Sequence, residues 1–346
     1  MQIFNNWHYF SIFLVSLSIS TVIVPFLKRL AIRFSVVDIP NQRHKTHKEP
    51  VPYLGGLAIV VPTLALVSFG LAILPLDNET KLRGMLLIIP GLALSLVGLL
   101  DDKENLRAST RFVFQVCISG IISIVLIQND ISVKLFQSDL INFCLSVFWI
   151  VGITNAFNFL DNLDGAAAGT TILSSGAIFV LALLEEQFLI ATFSLTICAA
   201  ALGFLYWNRS PASIYLGDGG ALFIGLVLSV LLLQFEPNVS DRLSASIIPV
   251  LIMAVPIIDT SVAVISRISR RVSIFQGGRD HLSHRLTGLG LSKKLTAMCI
   301  WIIATFYSLL SLAIYCFEFM QSPIYSILSL LLILLTIVFF LRIPIT

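Results

Sequence analysis

Asp101 and Asp102 stand side by side at the end of an apolar stretch, in the run Gly98-Leu99-Leu100-Asp101-Asp102-Lys103-Glu104-Asn105. The helix dipole disfavours a carboxylate at a helix C-terminus by roughly 0.3 kcal/mol or more. Adjacent acids also repel. At a membrane edge, where charge is costly, the pair is best explained by a cation or a proton transfer that it serves. The plain alternative is a solvated helix end. A second polar run, Asn155-Ala156-Phe157-Asn158-Phe159-Leu160-Asp161-Asn162-Leu163-Asp164-Gly165, places a polar group every three residues. On a helix, Asn158 and Asp161 share a face. That face drifts by about 60° per three-residue step. Asn155 and Asp164 therefore join them only where the helix ends or unwinds, which Gly165 permits. Four hard oxygen donors suit Mg²⁺ better than zinc. The plain alternative is a polar interhelix turn.

Three further segments carry phosphate-binding chemistry. In Leu216-Gly217-Asp218-Gly219-Gly220, glycine N–H groups such as that of Gly219 at a helix start can face a phosphate, and Asp218 can hold a metal bridging to it. Asp218 as a helix N-cap, worth about 1 kcal/mol, is the alternative. In Gly277-Gly278-Arg279-Asp280-His281-Leu282-Ser283-His284-Arg285, two arginines flank two histidines. They would repel a cation and clamp a pyrophosphate well, or form an exposed basic loop. In His47-Lys48-Glu49-Pro50-Val51-Pro52-Tyr53-Leu54-Gly55-Gly56, Lys48 can hold a phosphate, and the glycines let the next helix start close to a neighbour. An ordinary positive-inside loop would look similar. Asp259 lies inside an apolar run, where an acid costs roughly 2.5–3.5 kcal/mol on insertion scales. It needs a partner or a place facing the site.

The elements that position these residues are membrane helices. Of 346 residues 57% are hydrophobic and 12% charged, with mean hydropathy +0.95; soluble domains carry about 25% charged residues. The net charge of +3 argues against nucleic-acid binding. Five cysteines scattered through apolar stretches predict neither disulfides nor a zinc site. The first apolar run lacks a basic start and a small-residue cleavage site, so it reads as a span rather than a signal peptide. About 20 apolar residues cross a bilayer, which predicts eleven spans near 8–34, 54–76, 83–100, 111–128, 139–157, 165–184, 187–207, 219–235, 246–266, 296–316 and 322–342. The span at 139–157 is interrupted by Asn142. The expected fold is an all-α integral membrane bundle, one polytopic domain over 1–346, with a cytoplasmic cleft built from loops 35–53, 101–110, 155–165, 207–220 and 267–295. Eighteen of the 22 Lys and Arg residues fall on the side of those loops. That places the N-terminus outside and the C-terminus in the cytoplasm. Carboxylates for Mg²⁺ and basic groups for phosphates at one bilayer face equip a chain for phosphoryl transfer between a soluble donor and a lipid acceptor.

These motifs, in this order over about residues 38–292, resemble the polyprenyl-phosphate N-acetylhexosamine-1-phosphate transferase family. Its members start O-antigen, enterobacterial common antigen and teichoic acid linkage synthesis. The resemblance implies a bundle of ten or eleven helices in the bacterial inner membrane. It implies UDP-N-acetylhexosamine and undecaprenyl phosphate as substrates, a lipid-pyrophosphate sugar and UMP as products, and Mg²⁺, or Mn²⁺ in its place, as cofactor. N-acetylglucosamine is the expected sugar, with a 6-deoxy-N-acetylhexosamine as the alternative, and a homodimer is one option for assembly. By motif position, Asp218 and Asn158 look like metal ligands, and Asp161 and Asp164 like groups around the nucleotide diphosphate. Asp101 looks like the group that deprotonates the lipid phosphate, with Asp102 in support. Lys48 matches a basic position near the donor and Asn208 one near the nucleotide. His281, His284 and Arg285 look like the sugar-phosphate clamp. Two departures stand out. Asn105 replaces an acid frequent in the family, and the large loop lacks the histidine run of the pentapeptide-transferring relatives. A transporter would place acids at mid-membrane and show repeat symmetry; here the acids gather at one face, apart from Asp259. A CDP-alcohol phosphatidyltransferase would follow Asp-Gly with Ala-Arg, whereas Asp164-Gly165 is followed by Ala166-Ala167.

Overall fold

Apolar runs of 17 to 28 residues become helices because a helix satisfies its own backbone polar groups where no water can. The computed structural model describes residues 6–38, 51–131, 136–273 and 278–345; Lys48 lies outside them. The helices are α1 (Asn6–Arg33), α2 (Leu57–Ile73), α3 (Asn78–Glu104), α4 (Ala108–Gln128), α5 (Asp139–Leu160), α6 (Ala166–Leu184), α7 (Phe188–Asn208), α8 (Gly217–Gln234), α9 (Arg242–Ile252), α10 (Ala254–Ser269), α11 (Leu282–Gly288), α12 (Lys293–Cys316) and α13 (Pro323–Arg342). Ten of these are long and apolar enough to cross a membrane, and α9 with α10 forms one more unit bent by 73°. The chain is a multi-pass, all-α membrane protein.

The span expected at 246–266 is therefore broken. Pro256 has no N–H to give the Ile252 carbonyl, which the helix ladder would require. That carbonyl accepts the Ser174 hydroxyl instead, at 2.9 Å. The span at 139–157, interrupted in sequence by Asn142, is one unbroken helix. Asn142 turns back to the Phe136 backbone, accepting from its N–H at 3.1 Å and donating to its carbonyl at 2.8 Å.

Helix α8 is the hub. It is apolar all round and almost wholly buried, as a helix without a polar face must be. It packs on α3 and α5, and small residues allow the approach. A Cβ on Gly225 would lie 2.6 Å from the Thr154 Cα, and one on Gly91 would lie 3.0 Å from the Phe223 ring. On the far side, α1 ties to α7 through Ser16 and Ser20 hydroxyls donated to the Thr196 and Ala200 carbonyls at 2.8 and 2.7 Å. Leucines and phenylalanines of α13, such as Leu335 and Phe339, face outward, as lipid-facing side chains do. A two-residue ribbon, β1 (Val37–Asp38) with β2 (Val51–Pro52), pairs antiparallel beside the start of α8.

Candidate active site

Helix α3 carries Asp101 and Asp102 in its last turn. Its end is set by Asn105. Asn105 adopts the left-handed conformation (φ 51°), and its N–H bonds the Asp101 carbonyl at 2.9 Å. Asparagine tolerates that conformation well. Helix α8 starts against this turn because Gly98 admits it: a Cβ there would meet the Asp218 backbone at 2.5 Å. Asp102 fastens the contact. Its carboxylate accepts from the Asp218 N–H at 2.9 Å and the Gly219 N–H at 3.2 Å. A carboxylate at a helix N-terminus is favoured by the dipole. The glycine-rich helix start thus differs from its expected phosphate-binding use, since the Gly219 N–H faces Asp102. Gly217, at φ +74°, and Gly220 serve close packing, the latter against Gly56 of the Val51–Gly56 loop. That loop is held by Gly55 and Gly56 N–H groups donated to the Tyr215 and Leu216 carbonyls, at 3.0 and 2.7 Å.

Asp101 and Asp218 converge on one group, a basic residue that in sequence is only one more positive-inside charge. The Arg111 guanidinium, from the first turn of α4, bridges both carboxylates. Asn158 approaches from α5, its Nδ2 donating to Asp218 Oδ1 at 2.8 Å. Helix α5 ends at Leu160, between Asn158 and Asp161, and Gly165 at φ +77° turns the chain into α6. Asp161 lies among Asp218, Asp102 and Asp164; burial, then those neighbours, push its carboxyl well above the usual range. Asp164 accepts from the Ala212 N–H at 3.2 Å. Tyr53 and Tyr215 face one another beside it, ring centroids 5.8 Å apart. Burial first, then Asp38 for Tyr53 and Asp164 for Tyr215, raise both hydroxyl pKa values.

Other expected site residues point elsewhere. Asn155 donates to Gln115 Oε1 at 2.5 Å and the Val151 carbonyl at 2.8 Å, one turn deeper in the bundle. Asn208 is buried, with both ends of its amide engaged. It accepts from the Gly165 N–H at 3.0 Å and donates to the Ile214 carbonyl at 2.9 Å, closing the loop over Asp164 rather than facing a ligand. In the large loop, Asp259 finds the partners that sequence left open: His281 Nδ1 and the Leu282 N–H, both at 2.8 Å. Arg267 reaches His281 Nε2 at 3.2 Å and Asp280 at 2.9 Å, and Arg270 also pairs with Asp280. Arg285 is buried and turns from the expected clamp. It donates to the Phe340 carbonyl at 3.1 Å, to the Ile343 carbonyl and to Ser266 Oγ at 3.0 Å, capping the end of α13. Bare helix-end carbonyls inside the bundle need such donors. His284 is half-buried, and burial followed by the neighbouring His281 pushes its pKa down to about 4. Arg279 is exposed.

Among the described residues, no three His, Cys, Asp or Glu side chains form a metal cage. A magnesium site needs none, because Mg²⁺ keeps waters and takes one or two carboxylates plus substrate phosphates. Asp218, with the Asn158 amide turned over, offers that hard-oxygen set.

A Bacillus subtilis protein, a probable undecaprenyl-phosphate N-acetylglucosaminyl 1-phosphate transferase, is 37% identical over 303 residues, 86% of this chain and 82% of that one. The chain belongs to glycosyl transferase family 4. Residues 84–236 match the model of that family and hold Asp101, Asp102, Arg111, the Asn155–Gly165 run and Asp218. A Mycolicibacterium smegmatis decaprenyl-phosphate N-acetylglucosaminephosphotransferase is 29% identical over 80% of this chain and 75% of its own. A Geobacillus kaustophilus phospho-N-acetylmuramoyl-pentapeptide-transferase is 34% identical over 62% and 69%. As a member of this family the chain is an enzyme that transfers a sugar phosphate.

Proposed function

We propose that this transferase moves N-acetylglucosamine 1-phosphate from its UDP-sugar to undecaprenyl phosphate, releasing UMP, at the cytoplasmic face of the bacterial inner membrane. This step would begin an envelope polysaccharide. The observation that carries the reading is the convergence of Asp101, Asp102, Asp161, Asp164 and Asp218 at one end of the bundle, where among the described residues Arg111 alone pairs with any of them, bridging Asp101 and Asp218. Carboxylates in such excess suit a site completed by a cation and a diphosphate. Asp218 and Asn158 would hold Mg²⁺, which when bound supplies charge neutralisation for the diphosphate. An oxygen of the lipid phosphate attacks the β-phosphorus of the donor, the bond to UMP breaks, and UMP leaves with the electron pair. Asp101, at the membrane edge, takes the proton of the acceptor phosphate where one is present. Asp102 acts through Asp218, fixing the backbone that aims it. Asn208 and Asp164 hold the loop that carries Tyr215.

The test is UMP release by the purified chain with undecaprenyl phosphate, Mg²⁺ and a panel of UDP-N-acetylhexosamines. Release with UDP-N-acetylglucosamine that requires the lipid and is abolished by EDTA is expected. Release with another donor alone would replace the sugar. A sugar-phosphate adduct trapped on Asp101 without lipid would replace the single displacement.

A further inference from the structure

Arg111 sits where a cation bridging Asp101 and Asp218 would sit. Its guanidinium donates to both carboxylates, and its side chain is 26% exposed, so it has room to leave. The other oxygen of Asp218 also faces a donor, the Asn158 Nδ2 at 2.8 Å. Both oxygens of the candidate metal ligand are thus turned to N–H groups, and both partners must rearrange before a metal can bind. Among the described residues Arg111 is the one cation paired with any of the five clustered carboxylates. It stands in the first turn of α4, at the membrane edge, where the phosphate of a polyprenyl acceptor would lie.

Resting on the proposed function, we infer that Arg111 is a resident counter-cation that the divalent metal displaces, and that the freed guanidinium then holds the acceptor phosphate. The exchange keeps a cation beside Asp101 and Asp218 at every stage. Guanidinium pairs with carboxylate and with phosphate through the same planar fork, so it can pass from one to the other by a side-chain rotation. Metal binding would thereby prepare the lipid site, and the two substrates of the site would be coupled through one side chain.

The experiment is direct Mn²⁺ binding, followed by electron paramagnetic resonance, to native protein, Arg111→Met, Arg111→Lys and Asp218→Asn in detergent without substrates. Removing a cation within contact of the ligand should tighten Mn²⁺ binding at least about tenfold in Arg111→Met, given the strength of such short-range charge terms. Arg111→Lys should stay near native, and Asp218→Asn should lose the site. Mn²⁺ should raise the melting temperature of Arg111→Met more than that of the native protein. In transfer assays at saturating Mn²⁺, Arg111→Met should raise KM for undecaprenyl phosphate about tenfold or more while KM for the UDP-sugar is held. Native or weaker Mn²⁺ affinity in Arg111→Met, with Asp218→Asn still abolishing binding, overturns this inference and leaves the metal site standing. An unchanged lipid KM overturns the hand-over to phosphate. Mn²⁺ affinity unaffected by Asp218→Asn removes the metal assignment itself, and the inference with it.

Discussion

At the ends of α3, α5 and α8, five carboxylates gather, and among the described residues only Arg111, 26% exposed, pairs with any of them, bridging Asp101 and Asp218. Between α10, α11 and α13, Asp259 and Asp280 face Arg267, Arg270 and His281, and Asp280, Arg267 and His281 are at most 6% exposed. The residue types are much the same, and both clusters looked like ligand sites in sequence. Among the described residues, the first leaves three of its acids with no paired cation; the second pairs both acids and buries them, with only Arg270, 47% exposed, at its edge. A buried, fully paired network costs too much desolvation to be reopened for each turnover. On the proposed reading the first cluster takes the ligand, and the second is a lock that ties the large loop to the bundle. Phe159 joins the two. It follows Asn158 in sequence, and its ring packs on Arg267 and on His281 at 5.5 and 5.6 Å.

The sharpest way to break this contrast is to neutralise one acid in each. Asp218→Asn should lower transfer roughly a hundred- to a thousandfold with the melting temperature nearly unchanged. Asp280→Asn removes a counter-charge from buried Arg267; breaking a buried pair typically costs about 3–5 kcal/mol, and the loss should appear first as lost yield and a lowered melting temperature. Equal loss of stability in both would erase the distinction. Next comes Gly98→Ala, which pushes the Asp218 backbone off α3. Overpacking of this kind costs about 1–3 kcal/mol, and UMP release should fall more steeply than the melting temperature.

Asp102→Asn is a finer probe. One amide oxygen replaces a carboxylate that accepts from two N–H groups. Loss of a charged hydrogen bond is worth about 1.5–3 kcal/mol, so kcat should drop about tenfold or more with donor KM little changed. The smallest effect concerns pH. His284 is held at about 4 by burial and His281, below its ordinary value. The unfolded chain then binds the proton first, so stability is retained above about pH 6.5 and declines as pH falls toward 4. His284→Gln should flatten that part of a melting temperature against pH curve.

Much of this was legible in the sequence. Hydropathy located the spans, and the Asp101-Asp102, Asn155–Gly165 and Asp218 motifs pointed to one end of the bundle, where they are found. What was not legible is which charges are already satisfied. Arg285 and His281 have the chemistry of a phosphate clamp, but their partners are the carbonyls at the end of α13 and Asp259, far away in sequence. Arg111 has the spacing of an ordinary positive-inside residue, and the carboxylates that reveal its role come from α3 and α8. The bend between α9 and α10 carried a signal, Pro249 and Pro256 in one apolar run. Proline alone does not say whether a neighbour such as Ser174 will take the freed carbonyl.

The most direct test of the contrast is to locate the metal. Crystals grown with Mn²⁺ and UDP-N-acetylglucosamine should give one anomalous manganese peak at Asp218, beside Asn158, with Arg111 swung away from both carboxylates and the Asp259–His281–Arg267–Asp280 network undisturbed. Manganese among His281, His284 and Asp259, or a donor diphosphate seated on Arg285 with Arg111 still bridging Asp101 and Asp218, would contradict the account.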